Sequence, residues 1–97
     1  MTKVLVSPGF GAGWATWSEK PKEVAEYEPI IKYIESGGDP SKLKDDHELV
    51  KQMISDLGLD SFYCGGCRDL RVETVDGPYC VEEYDGSESI RTSANFW

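Results

Sequence analysis

The sequence contains no long apolar run. No segment approaches the roughly 18 consecutive apolar residues that a membrane-spanning helix needs, and the N-terminal Met-Thr-Lys-Val-Leu-Val is too short and polar for the core of a signal peptide. We therefore expect a soluble cytoplasmic protein. The three cysteines agree with this location, because an odd number cannot pair completely into the disulfide framework of a secreted protein.

The sequence also lacks the short motifs that mark common catalytic and nucleotide-binding sites. It has no G-x-G-x-x-G fingerprint, no phosphate-binding loop of the G-x-x-x-x-G-K-[ST] type and no G-x-S-x-G elbow. His47 is the only histidine and lies near a predicted helix start with no obvious nucleophile beside it. We therefore expect neither enzymatic activity nor a cofactor.

Basic residues are scarce. Ten lysines and arginines stand against 18 acidic residues, which gives a net charge of -8. Such a charge repels nucleic-acid backbones and anionic membranes, so we expect neither polymeric nucleic acid nor a membrane as a partner. A small anion is still possible, because a few backbone amides and one or two arginines can offset the field locally. An acidic surface that docks on a basic protein is possible as well.

The chain is expected to form a single domain over residues 1–97, with 39% hydrophobic residues to build its core. Its patterns predict an α+β fold: a mostly antiparallel sheet of four or five strands with two helices on one face. A loop or short helical turn is expected over residues 18–28, and Asp45 or Asp46 is expected to cap the second helix. The predicted elements are a strand at 3–7, a helix that begins at Pro29 and ends before Gly37, a helix from about 46 to 57, and strands at 68–75, 79–84 and 89–92.

The most distinctive stretch is residues 8–17, Pro-Gly-Phe-Gly-Ala-Gly-Trp-Ala-Thr-Trp, which follows an apolar run. Glycines let a segment turn sharply and present backbone amides to an anion, and a tryptophan offers a flat face on which a base can stack. These ingredients suit a ligand with a phosphate and a base. They equally suit a tightly packed turn in which both tryptophans fill the core.

A second glycine turn carries the pattern Cys64-Gly-Gly-Cys67, with Cys80 further along the chain. Thiolates at this spacing can bind zinc, with Cys80 and His47 completing the set, or can form a redox pair. However, only half of the usual zinc signature is present, and a predicted strand follows the motif where redox motifs have a helix. We therefore expect buried or turn cysteines and no metal site.

An acid-rich hairpin is predicted over residues 81–89. It contains Glu82, Glu83, Asp85 and Glu88. Their spacing matches no calcium-binding loop. Acidic side chains on a hairpin are typical of a solvated face or of a protein-docking surface.

Three blocks of the sequence resemble a family of small proteins of tailed bacteriophages. They are residues 4–17, 63–70 and 83–89, and the first and third, with VLVSPGFGAGW and EYDGSES, are the most distinctive. The likeness spans most of the chain. It implies a viral accessory protein that acts in the cytoplasm of the bacterial host, and it brings no established activity with it.

We therefore predict a counter-defence protein that sequesters a small nucleotide-derived signalling molecule without turning it over. In this hypothesis glycine amides hold the phosphate, a tryptophan stacks on the base and an arginine supplies charge. Because one small unit has few walls, we expect the pocket at a homo-oligomer interface. The alternative is an inhibitor whose acidic face blocks a basic host protein. The predicted ligand-binding residues are Gly9, Phe10, Gly11, Gly13, Trp14, Trp17, Arg68 and Arg71.

Overall fold

The computed structural model describes residues 2–8, 13–16, 18–44, 46–62, 64, 66–84 and 87–92. These residues form an α+β fold with two longer helices and one short helix. Two 3-10 turns, Pro40–Lys42 and Cys67–Asp69, lie in the connections. The helices and strands are β1 (Thr2–Val6), α1 (Pro21–Ala25), α2 (Glu28–Glu35), α3 (Glu48–Leu57), β2 (Arg71–Val75), β3 (Tyr79–Tyr84) and β4 (Ser87–Thr92).

The strands pair into two antiparallel ladders of two strands each, so the prediction of one sheet with four or five strands is wrong. β1 pairs with β2, and β3 pairs with β4. A backbone hydrogen bond links the two ladders: the Glu88 N–H donates to the Ser7 carbonyl at 2.8 Å. Ser7 lies just beyond the end of β1. The contact between β4 and the first ladder therefore lies just beyond the end of β1. Among the described residues, β4 does not pair with β1 as a third strand.

Both predicted helices are confirmed, and each stops at a glycine. α2 has Pro29 in its first turn and ends before Gly37, whose φ is +97°. α3 ends at Gly58, whose φ of +66° is the left-handed conformation that favours glycine. The start of α3 corrects the prediction, because the cap is His47: its Nδ1 accepts the Leu49 N–H at 3.1 Å.

The core joins β1 to the three helices. The buried apolar side chains of the described residues form one cluster, and Trp14 is the largest of these that is fully enclosed. Full burial of a valine, leucine, isoleucine or methionine side chain stabilises a fold by about 1.5–3 kcal/mol. The cluster therefore fixes α1 and residues 13–16 against β1. Its fully enclosed members include Val4, Leu5, Trp14, Ala15, Val24, Ile30, Leu43, Val50 and Met53.

Gly58→Ala tests the end of α3. A Cβ in the left-handed conformation is strained, so we expect a loss of about 1 kcal/mol in the free energy of unfolding, measured in urea. Gly58→Asn is the matched control and should lose less, because asparagine tolerates this conformation. An alanine variant as stable as the parent protein would contradict the left-handed cap.

Candidate functional site

The chain that follows β1 closes around the carboxylate of Glu88, which is only 2% exposed. Glu88 Oε1 accepts the Ser7 N–H at 2.9 Å. Its Oε2 accepts the N–H groups of Trp14 at 2.8 Å and Thr16 at 3.0 Å. The Thr16 hydroxyl also donates to Oε2, at 2.6 Å. We call this arrangement of Ser7, Trp14, Thr16 and Glu88 the Glu88 cradle.

The cradle satisfies a charge that would otherwise be costly to bury. A buried carboxylate without partners is strongly destabilising, and an ionised carboxylate can only accept hydrogen bonds. Among the described residues, four donors converge on Glu88, and three of them are backbone amides. The segment after β1 thus presents amides to an anion, and at the described positions these are the amides of Ser7, Trp14 and Thr16, where the hypothesis named glycine amides. The anion it holds is the chain's own side chain.

The second glycine turn packs directly against the first. The Ser7 hydroxyl donates to the Gly66 carbonyl at 2.7 Å. A Cβ placed on Gly66 would lie 2.7 Å from the Gly13 carbonyl carbon and 2.9 Å from Ser7 Oγ, closer than real Cβ atoms approach. Glycine at position 66 is therefore required for close backbone contact. The two turns converge at these residues, and they do so by packing against each other.

Trp14 lies in the core, with an exposed fraction of 0%. Its ring meets Phe62 edge to face, with 4.8 Å between the centroids. The indole Nε1 is buried and has no hydrogen-bond partner among the described residues. Gly13 is buried beside it. A base could stack on Trp14 only if this packing opened.

The two predicted arginines lie on the surface. Arg68 is exposed in the turn Cys67–Asp69. Arg71 begins β2, and its Nε lies 2.9 Å from Glu73 Oε1. Arg71 and Pro8 line the same surface depression. The structure therefore brings Arg71 near the start of residues 8–17, which we call the glycine segment. Four predicted ligand residues lie outside the described residues: Gly9, Phe10, Gly11 and Trp17.

The acidic hairpin is only partly a solvated face. Glu82 and Glu83 are exposed on β3, and Glu82 Oε2 lies 3.0 Å from Arg91 Nε. Glu88 corrects the prediction, because it turns inward into the cradle. Asp85 lies outside the described residues.

The cysteines do not assemble with other metal ligands in the described part of the chain. Cys64 and Cys67 are buried, and Cys80 is exposed on β3. The described residues contain no group of three or more histidine, cysteine, aspartate or glutamate side chains that could hold a metal ion. His47 has its Nδ1 engaged as the cap of α3. These positions give the zinc alternative no support.

A groove with a volume of about 530 Å³ lies beside the cradle, at a place that no motif in the sequence indicates. None of the predicted ligand residues is among its described lining residues. Thr16 belongs to both features, because it lines the groove while its hydroxyl donates to Glu88. The described lining residues are Thr2, Ala15, Thr16, Pro21, Lys22, Ala25, Glu26, Gly77, Pro78, Tyr79, Cys80 and Val81.

A tyrosine–carboxylate hydrogen bond joins the two walls of the groove. The Tyr79 hydroxyl on β3 donates to the Glu26 carboxylate next to α1. Burial, and then the neighbouring Glu26, raise the pKa of Tyr79 well above its usual range. Tyr79 therefore remains a neutral hydrogen-bond donor at physiological pH. The contact fixes β3 against α1.

Comparison with protein-family models, curated proteins and solved structures finds no match to this chain. No helix among the described residues is long and apolar enough to cross a membrane. A function must therefore be inferred from the cradle, the groove and the surface charge.

The groove has the chemistry of a binding site. Its walls are largely apolar, and its polar groups include the Lys22 ammonium, the Glu26 carboxylate and the hydroxyl of Thr2. Small-molecule sites combine these features within about 300–1,000 Å³. The groove can therefore hold an apolar body and orient it by one or two polar contacts.

Glu88→Gln tests the cradle. Glutamine keeps the shape but removes the charge and places an NH₂ group against backbone donors, so we expect a loss of about 2 kcal/mol in the free energy of unfolding. Glu82→Gln makes the same chemical change in an exposed ion pair and should cost less than about 0.5 kcal/mol. Urea unfolding measures both variants. Equal losses in the two would contradict the cradle.

Proposed function

We propose that this protein works by stoichiometric binding and that its acidic surface blocks a basic surface of a host protein. The observation that carries the proposal is the exposure of Glu82 and Glu83 on β3, a strand that also lines the groove. The cradle supports it indirectly. Its amides are already engaged by Glu88, so at the described positions they do not offer a ligand's phosphate a vacant set of donors.

Charge determines the distance over which two such proteins attract each other and the rate at which they associate. The net charge of -8 attracts a basic surface before contact and raises the association rate. Salt screens this attraction over about 8–10 Å at physiological ionic strength. Binding of this kind should therefore weaken as salt is added.

The resemblance to tailed-phage proteins supplies the biological setting of the proposal. A small viral accessory protein in the bacterial cytoplasm can disable a host enzyme or an immune component simply by covering its surface. Such an inhibitor needs no catalytic residues and no cofactor. It has to be present in amounts comparable with its target.

The groove favours a second candidate, the sequestration of a small nucleotide-derived signalling molecule. Its volume suits such a ligand. Lys22 offers a cation to a phosphate, and Tyr79 offers an aromatic ring to a base. The ligand would then lie between α1 and β3, and a second subunit could close the site. The glycine segment would contribute Thr16 to the lining of this site.

Docking is tested with the purified protein and a lysate of the bacterial host. We expect a host protein to co-purify at low salt and to be released as salt is raised. The double substitution Glu82→Gln/Glu83→Gln should reduce this capture by roughly tenfold, since two charges at the contact are lost. Glu28→Gln/Glu35→Gln changes the charge equally on α2 and should have little effect. Equal losses in both double variants, or capture that is insensitive to salt, would contradict the proposal.

Sequestration is tested by incubating the protein with cyclic and ADP-ribose-type nucleotides, denaturing it and analysing what is released. Intact ligand in stoichiometric amount supports the second candidate, whereas altered product indicates catalysis. Lys22→Gln should reduce capture and Arg68→Gln should not, because only Lys22 lines the groove. Failure to capture any nucleotide would rule out sequestration of this ligand class.

A further inference from the structure

Two cysteines lie at the two ends of one tight turn. The Cys67 N–H donates to the Cys64 carbonyl at 3.1 Å, which is the hydrogen bond that closes a four-residue β-turn. Gly66, the third residue, has a φ of −87° and a ψ of 4°, the values of that position in a type I turn. The first and last Cα atoms of such a turn lie less than about 7 Å apart. A disulfide spans a Cα–Cα distance of about 4.4–6.8 Å, so the backbone brings the two cysteines within bridging range.

Both cysteine side chains lie on the inner side of the turn. Cys64 is 7% exposed and Cys67 is 5% exposed, and both belong to the buried cluster of the core. Each of them retains a small exposed area, whereas Trp14 has none. A small oxidant reaches thiols at such a position through local opening of the turn.

Contacts with two other segments hold this turn in place. The Ser7 hydroxyl donates to the Gly66 carbonyl at 2.7 Å, and a Cβ on Gly66 would collide with the Gly13 carbonyl. The Cys67 thiol donates to the Ser41 carbonyl at 3.8 Å. A turn fixed in this way keeps one thiol at a high effective concentration for the other. Oxidation within the turn is therefore favoured over a disulfide between two molecules.

We propose that Cys64 and Cys67 form a reversible dithiol–disulfide pair, through which this turn responds to the redox state of its surroundings. The oxidant is a small-molecule disulfide of the glutathione type. One cysteine thiolate attacks it, which forms a mixed disulfide and releases one small thiol. The other cysteine thiolate then attacks the protein-bound sulfur and releases the second small thiol. The cysteine pair loses two electrons and two protons, and the small disulfide gains them. The proposal does not depend on the proposed docking function.

Oxidation removes a contact of the native fold. A disulfide sulfur carries no proton, so the hydrogen bond from Cys67 to the Ser41 carbonyl is lost when the disulfide forms. This hydrogen bond joins the two 3-10 turns, Pro40–Lys42 and Cys67–Asp69. The redox state of the pair is thereby transmitted to the connection between α2 and α3.

The test equilibrates the Cys80→Ser protein with mixtures of reduced and oxidised glutathione, traps the remaining thiols by alkylation and measures the mass of the intact protein. We expect an unalkylated species that lacks two hydrogen atoms, whose fraction rises with oxidised glutathione and disappears with dithiothreitol. Cys64→Ser and Cys67→Ser, each in the same background, should stop at the mixed disulfide. A Cys80→Ser protein that remains a dithiol, or that stops at the mixed disulfide in oxidised glutathione alone, would overturn the proposal. The cysteines would then serve only as small apolar side chains.

NMR tests whether the pair closes within the native fold. In the oxidised protein the Cβ carbon shifts of Cys64 and Cys67 should move to the range of disulfides, while the other native signals persist. The carbonyl carbon shift of Ser41 should change, because its thiol donor is lost. Cys67→Ala removes the same donor without forming a disulfide and should move the Ser41 carbonyl shift in the same direction. A disulfide found only in protein that has lost its native signals, or an unchanged Ser41 carbonyl in the oxidised native protein, would contradict the proposed switch.

Discussion

The buried carboxylate of Glu88 is the interaction on which the rest of the structure depends. It joins backbone amides that lie 72 to 81 residues away in the chain, and so ties the segment after β1 to the start of β4. The neighbouring Ser87 hydroxyl adds a bond to the Pro8 carbonyl at 2.7 Å. A buried charge that lost these donors would cost several kcal/mol. The contact therefore holds the two ladders together at the point where they meet.

This internal pairing changes how the glycine segment should be interpreted. Amides that converge on an anion are a common feature of phosphate sites, but here they hold a side chain of the same molecule. Trp14, enclosed by the core, supports the cradle from within. The segment also positions Thr16, which lines the groove. Our second candidate function therefore proposes binding at the groove between α1 and β3 and not at the glycine turn.

Local structure could be predicted from the sequence, and the pairing of distant parts could not. The apolar spacing and the glycine at position 58 identified α3, and alternation with a following turn identified β3. Alternation shows that a segment is a strand but not which strand lies beside it, which explains the incorrect single sheet. Glu88 stood in an acidic run of the kind that is usually solvated. Only the three-dimensional position of amides far along the chain shows that it turns inward. The groove was missed for the same reason, since its walls come from separate elements.

The most direct test of the central claim is the hydrogen exchange of individual backbone amides in the unliganded protein. Trp14 and Thr16 lie outside the helices and strands, so their amides would exchange rapidly unless a side chain held them. Our account predicts protection at both amides comparable with that of the β1 ladder. Exchange as fast as at the exposed turn around Gly77 would contradict it, because Glu88 would then not hold the segment in solution.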